Sequence, residues 1–273
     1  MDSTSSDPVQ TRLKMAVRWA REAGDLTLDF FRRGDLAVEF KADASPVTAA
    51  DRAAEELLRK RIAERFPEDS ILGEEFGPVV GSSGYQWVLD PIDGTKSFVH
   101  GVPLYTTLVA VLAVDHPKIG VIYAPAADEM VFAAEGGGCW HVDQRNADGA
   151  PTPARVSAVR ELRESLFLTT EAHAYRTARK RDALPVYLEL MQKARLTRTW
   201  GDGFGYLLVA TGRAEVMIDP VMNLWDAAPL QTVIQEAGGR FTDWQGTPSV
   251  HSGESVATNG LVAEEVIALT KGH

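Results

Sequence analysis

Cysteine is almost absent from this chain of 273 residues: Cys139 stands alone, so no intramolecular disulfide can form. It lies in a Gly-rich stretch with no Cys or His at zinc-ligand spacing, and a reducing, cytoplasmic setting is expected. Basic charge is in deficit too. Against 38 Asp and Glu stand 28 Lys and Arg, a net charge of −10, and the basic residues are scattered rather than clustered. The electrostatic footprint of a nucleic-acid binder is therefore missing. Long apolar runs are also missing: the longest nearly uncharged stretch, residues 102–114, includes Pro103 and falls short of the ~20 residues that cross a bilayer. The start, Met1 to Pro8, has no basic segment followed by an apolar run, so no secretory signal is expected and the stretch reads as a disordered tail. No internal repeat is visible.

What is present patterns as mixed α and β. From Thr11 to Phe31, Leu13, Val17, Ala20, Leu26 and Phe30 recur at helical spacing, closing near Gly34. A second helix is predicted over residues 48–66, with Ala49, Ala53, Leu57, Leu58, Ile62 and Phe66 on one stripe and Pro67 at its end. Short apolar runs cut by Gly and Pro then predict strands at 70–73, 86–89, 106–114, 118–123 and 130–134. The segment 136–153 reads as loop, and a boundary is placed there, giving subdomains 1–153 and 154–273. Beyond it, a strand is expected at 165–169, a helix over 175–191 broken or started at Pro185, a short helix at 204–211, a strand at 215–218 and a helix at 226–237 closed by Gly238-Gly239.

Acidic residues gather at strand ends. In Trp87-Val88-Leu89-Asp90-Pro91-Ile92-Asp93-Gly94-Thr95, an apolar strand runs into two aspartates whose oxygens can meet at one place and suit Mg²⁺. Asp and Gly also favour turns for local reasons, so the pair alone decides nothing. Backbone amides exposed after Gly94 could cradle a phosphate. Gly73-Glu74-Glu75 puts two acids after another strand. Asp226 heads an apolar helix, where an aspartate serves equally well as a cap.

Taken together, these segments resemble the inositol monophosphatase superfamily. Trp87 to Phe98 resembles its W-x-x-D-P-I-D-G-T signature, and Trp225-Asp226-Ala227-Ala228 with Glu236-Ala237-Gly238-Gly239 resembles the second. Gly73-Glu74-Glu75 and the block from Lys41 through Thr48 to Asp51 complete a likeness spanning about residues 12–270. The resemblance implies a layered α-β-α-β-α sandwich, a homodimer, and two or three Mg²⁺ ions. It implies that Glu74, Asp90, the Ile92 carbonyl, Asp93 and Asp226 are the metal ligands, with Glu74 counted also among the catalytic groups. Thr95 and Asp51 would orient or deprotonate the attacking water, and the Gly94 and Thr95 amides would hold the phosphate. Such a phosphate-ester hydrolase needs positioning and charge neutralisation rather than a Ser or Cys nucleophile.

The second half, Thr199 to Ala210 and Met217 to Pro220, is more similar to the histidinol-phosphatase branch than to the inositol branch. Inositol-type members usually carry a small residue at the place of Asp202 and a Glu at that of Asp219. Histidinol phosphate bears an ammonium and an imidazole, so extra carboxylates on the leaving-group side have a rationale. Asp202 and Asp219 are thus expected to bind substrate, with Glu215 behind them, although Asp202 could simply cap a helix starting near Phe204. The reading is a small phosphorylated metabolite as substrate, L-histidinol phosphate first and inositol 1-phosphate or a sugar phosphate second, with no nucleic-acid or membrane partner. The run Gly201-x-Gly203-x-Gly205 fails the full dinucleotide fingerprint, which requires a small residue at the place of Tyr206 and an acid about 20 residues further on after a strand. His100 is the histidine nearest the motif, and no role is assigned to it.

Overall fold

The computed structural model describes residues 7–33, 38–40, 46–143, 149–177 and 182–272. Residues 1–6 of the tail expected over Met1 to Pro8, the helix stop at Gly34, the Lys41 end of the first family block and the middle of the predicted 136–153 loop lie outside them, while Asp7 and Pro8 belong to the start of the first helix and not to a tail.

Helix α1 (Pro8–Leu28) starts earlier than the apolar stripe suggested, because Asp7 accepts a hydrogen bond from the Val9 amide and Pro8 suits the first helical position. Strands β1 (Val38–Phe40) and β2 (Pro46–Thr48) form a small antiparallel pair that leads into α2 (Ala49–Arg65), capped by Thr48. A seven-stranded sheet follows in chain order: β3 (Ser70–Gly73), β4 (Tyr85–Asp93), β5 (Thr106–Ala113), β6 (His116–Ala124), β7 (Glu129–Ala134), β8 (Cys139–Asp143) and β9 (Thr152–Pro153). Only the β3–β4 pairing is parallel. The short helix α3 (Thr95–Val99) leaves the end of β4. The loop expected over 136–153 is corrected: β8 and β9 lie within it. Their half-buried edge positions, Cys139 and Val142 inward and Trp140 outward, are too few to register as an apolar run among Gly and polar residues.

The second sheet has the order β11 (Leu196–Arg198), β10 (Leu166–Leu168), β12 (Val216–Asp219), β14 (Ser255–Thr258), β13 (Arg240–Thr242). Its first three members are parallel. Helices α4 (Ala174–Thr177), α5 (Leu184–Lys193), α6 (Asp202–Ala210), α7 (Leu224–Glu236) and α8 (Ala263–Thr270) complete the chain.

Five layers result. Strand alternation sends Val109, Val111, Val121 and Tyr123 to one face of the first sheet, where Ala16, Trp19, Ala20, Ala54 and Leu58 of α1 and α2 cover them. Leu108 and Ile122 face the other way, into a core with Tyr206, Leu207, Leu230 and Val233 of α6 and α7 and with Met217, Phe241 and Ala257 of the second sheet. Val186 and Leu190 of α5, Val266 of α8 and Val262 just before it close the far side against Phe167, Val216 and Ile218. The order is α-β-α-β-α, as the family resemblance implied. Glu236, at the end of α7, accepts hydrogen bonds from the Gly136 and Gly138 amides at 2.8 and 2.7 Å, tying the central helix layer to the β7–β8 turn. Among the described residues, no helix is long and apolar enough to cross a membrane.

Candidate active site

Residues three apart on a regular strand point to opposite faces. Asp90 and Asp93 escape this rule because the β4–β5 pairing shifts between them: Asp90 lies opposite Leu108 and Asp93 opposite Thr106, so three steps on β4 match two on β5. The bulge turns both carboxylates to the same side. Asp226 reaches them from the first turn of α7, and Asp90, Asp93 and Asp226 each place a carboxylate oxygen within 4.8 Å of the others.

Asp93 and Asp226 are each anchored by one oxygen and offer the other. Asp93 Oδ2 accepts from the Thr106 hydroxyl at 2.9 Å and from the Gly203 amide. Asp226 Oδ2 accepts from the Asn223 amide at 2.7 Å, closing a capping box in which Asn223, and not Asp226, is the cap of α7. Asp90 is 2% exposed, and its Oδ1 has no hydrogen-bond partner. Burial, followed by the charges of Glu74, Asp93 and Asp226, pushes the Asp90 carboxyl well above the ordinary carboxylate range. Asp93 is likewise driven well up by burial and by Asp202 and Asp226, and Asp226 rises to about 7. An orphaned buried carboxylate oxygen amid mutually repelling acids is costly unless a cation sits among them, and hard oxygen donors suit a small divalent ion. The donor set fits such a metal.

Glu74 lies just past β3, beside this triad. It lines a cavity of 290 Å³ together with Gly94, Thr95, Lys96, Thr170 and Asp202. The preceding Gly73 is required there, since a Cβ would lie 2.0 Å from Glu55 Oε1. Glu55 is fully buried, accepts from the Glu75 amide at 2.8 Å, and is held by Arg59 at 2.7 Å. It shapes the turn that carries Glu74. Sequence reading missed Glu55, although its position four residues after Asp51 on one helix was a signal that both face the same place.

Asp51, 1% exposed, resembles Asp226 in its anchoring. Its Oδ2 accepts from the Thr48 amide and hydroxyl at 2.8 and 2.6 Å, completing the capping box of α2, while Oδ1 is 3.4 Å from the Thr95 hydroxyl. Thr95 Oγ1 is also 3.0 Å from the Ile92 carbonyl oxygen. Burial raises the Asp51 carboxyl, against the Thr48 hydrogen bonds, and the Glu74 charge adds to the rise. Gly94 precedes α3 in the left-handed region, φ 87°, with its missing Cβ 2.9 Å from Asp202 Oδ2.

On the other side of the triad lies a cavity of 250 Å³, lined by Asp93, Thr170, Asp202, Asp219 and Asp226 among others. Burial and the charges of Asp219 and Asp226 push Asp202 up to about 7, with Lys96 and Thr170 opposing. The capping expectation for Asp202 is corrected: α6 begins at Asp202 itself, which adopts φ 53°, and Gly201 occupies the cap position. Asp219 accepts from the Thr170 amide at 3.0 Å and the Tyr206 hydroxyl at 3.0 Å. Glu215 is not brought to the site. It precedes β12 at the end opposite Asp219, is 6% exposed, and accepts from the Leu166 amide at 2.7 Å, joining strands instead of binding a ligand. His100 follows α3, with Nδ1 2.8 Å from the Lys96 carbonyl oxygen. Lys96 and Glu171, which sequence reading left without a role, pair at 2.9 Å across the rim between the two halves of the chain.

A sequence model of the inositol monophosphatase family matches residues 9–273. A histidinol-phosphatase of Chlorobaculum parvum is 40% identical, covering 94% of this chain and 95% of its own, and one of Mycobacterium tuberculosis is 38% identical, covering 93% and 96%. Among solved structures, an inositol monophosphatase of Thermotoga maritima superposes with a TM-score of 0.83 at 29% identity, over 95% of this chain and 96% of that one.

Proposed function

The chain belongs to the inositol monophosphatase family, whose members are metal-dependent phosphatases, and on that premise we propose that this phosphatase acts on L-histidinol phosphate, releasing L-histidinol and phosphate. The observation that carries the substrate assignment is the pair Asp202 and Asp219 lining the 250 Å³ cavity beside Asp93 and Asp226. Carboxylates suit a leaving group that carries an ammonium and an imidazole, because charge-assisted hydrogen bonds outperform those to neutral hydroxyls. The names of the similar proteins point the same way.

Glu74, Asp90, the Ile92 carbonyl, Asp93 and Asp226 are the proposed holders of two or three Mg²⁺ ions, which when bound supply neutralisation of phosphoryl charge and acidify water. The chain's own groups do the rest. Thr95 Oγ1 takes a proton from the attacking water as it passes its own to Asp51 Oδ1, 3.4 Å away, so that the hydroxyl is restored and the carboxylate holds the proton. The Gly94 and Thr95 amides bind phosphoryl oxygens. Residues 1–153 act as the metal-binding half, and 154–273 contribute Asp226 and the leaving-group pocket. The family resemblance alone supports a homodimer, and the lone Cys139 supports a cytoplasmic setting.

Phosphate release from L-histidinol phosphate and inositol 1-phosphate, measured side by side with Mg²⁺ and with EDTA, tests the assignment. Preference for histidinol phosphate is expected, and Asp202→Ala is expected to reduce its turnover on the order of 10- to 100-fold more than that of inositol phosphate. Equal losses would remove Asp202 from substrate recognition. Wild-type preference for inositol phosphate would move the enzyme to the second reading, an inositol or sugar-phosphate phosphatase, which the likeness to the Thermotoga maritima enzyme favours.

A further inference from the structure

Thr170 follows β10 and touches both halves of the leaving-group site. The parallel β10–β12 register, Phe167 with Val216 and Leu168 with Met217, brings Thr170 alongside Asp219 when continued, and the Thr170 amide donates to Asp219 Oδ1 at 3.0 Å. Its hydroxyl accepts from the Asp202 amide at 2.8 Å. That second bond has a specific task. Asp202 opens α6 with φ 53°, a left-handed conformation that a non-glycine residue holds only when its surroundings fix it. Gly201 supplies the close approach, for a Cβ there would lie 2.2 Å from Thr170 Cα. The left-handed turn aims the Asp202 carboxylate at the phosphate side, 2.9 Å from where a Gly94 Cβ would be, so Asp202 and Thr170 together form the partition shared by the two cavities.

We propose that Thr170 is a positioning residue that sets selectivity for cationic leaving groups, by fixing the Asp202 backbone and the Asp219 carboxylate in one geometry. The inference rests on the leaving-group reading of Asp202 and Asp219 above and adds what holds them. A neutral polyol phosphate draws its binding mainly from the phosphate side and gains little from this spacing. A cationic substrate depends on it, because misaligned carboxylates forfeit charge-assisted bonds.

Thr170→Val keeps the shape and removes the hydroxyl, whereas Thr170→Ser keeps the hydroxyl and removes the methyl. Steady-state kcat and KM are measured for both variants and the wild type on L-histidinol phosphate and inositol 1-phosphate. The expected result is that Thr170→Val lowers the ratio of the two kcat/KM values by about 10-fold or more, mainly through a raised KM for histidinol phosphate, and that Thr170→Ser keeps the ratio within about 3-fold of wild type. A preserved ratio in Thr170→Val, including one in which both substrates lose equally through general damage, overturns the proposal while leaving the substrate assignment intact. So does a collapse in Thr170→Ser as deep as in Thr170→Val, since packing and not the hydroxyl would then be responsible. A wild type without preference for histidinol phosphate defeats the substrate assignment itself, and this inference with it.

Discussion

Replacing Asp226 with Asn should stabilise the metal-free protein while abolishing its response to metal. In the folded chain, burial and the Glu74 and Asp219 charges raise the Asp226 carboxyl from 3.8 to about 7, against the Asn223 amide that lowers it. The folded state therefore holds this proton more tightly than the unfolded chain, and stability is lost as pH rises from about 4 to about 7. At pH 8 the whole penalty is in force: about 3 pKa units, or ~4 kcal/mol at ~1.4 kcal/mol per unit, as an upper bound. Neighbouring acids relax once one charge is gone, so a net gain of about 2 kcal/mol is expected for Asp226→Asn, worth roughly 4–8 °C in Tm. The amide oxygen can still accept from the Asn223 amide, so the α7 cap survives. The assay is thermal unfolding of both proteins at pH 8 and pH 5, in EDTA and in Mg²⁺. In EDTA the variant should unfold higher at pH 8, with about a third of that advantage at pH 5. In Mg²⁺ the wild type should gain and the variant should not, with turnover lost. A variant less stable than wild type in EDTA at pH 8, or an advantage independent of pH, would refute the claim that these acids are assembled against their own repulsion.

Asp51→Asn should lower kcat on the order of 10²-fold or more while leaving the Mg²⁺-induced Tm shift unchanged, and loss of that shift would make Asp51 a ligand instead of a base. Gly203→Ala would put a Cβ 2.4 Å from Thr106 Oγ1 and 2.7 Å from Asp93 Oδ2. Displacing Asp93 should raise the Mg²⁺ concentration for half-maximal activity by about 10-fold or more, and an unchanged metal titration would mean that Asp93 is not held as described. Arg12 binds Asp69 at 2.8 and 2.7 Å under the Tyr85 ring, and Asp69 is 3% exposed. Arg12→Ala leaves that carboxylate with only Trp87 and Ser83 and should cost about 3 kcal/mol or more in urea unfolding, and a cost below 1 kcal/mol would mean that water replaces the guanidinium.

Helices α1, α2, α5, α6 and α7 and the long central strands were legible in the sequence because each buries one face against a neighbour, so apolar period and secondary structure agree; the short helices α3 and α8 were not read. The strands β1, β2, β8, β9, β11, β13 and β14 were not, being short or at edges with too few inward residues to make a pattern. At the site, Glu74, Asp90, Asp93 and Asp226 stood out as acids at the ends of apolar strands and helices, but only the family resemblance joined them into one expected ligand set. Glu55 and Thr170 did not stand out, because their importance comes from what lies across the fold: a glycine with no room for a Cβ in one case, a neighbouring strand and a left-handed aspartate in the other. Glu215 shows the converse error. It shares a strand end and a charge with the site residues, yet the chain direction through β12 carries Asp219 to the cavity and leaves Glu215 at the far end, on the Leu166 amide.

Capping and function look like alternatives for Asp226 in the sequence, yet in the structure a capping box anchors this proposed metal ligand, and another anchors Asp51 in the same way. Both aspartates sit at the third position of a helix, and both give Oδ2 to a capping box, with Thr48 in one case and Asn223 in the other. A free aspartate at the end of a strand can rotate about two bonds. One whose Oδ2 is fixed to a backbone amide cannot, and its Oδ1 then points in a direction set by the helix axis. Holding a carboxylate to within a fraction of an ångström normally requires a supporting shell of other side chains. Here the helix start supplies it, along with a partial positive charge that offsets some of the cost of burying the acid. Substituting the caps themselves should therefore blur the site more than it weakens the helices: Thr48→Ala removes only ~1 kcal/mol of capping, but it frees the Asp51 carboxylate from the hydroxyl that holds it at 2.6 Å.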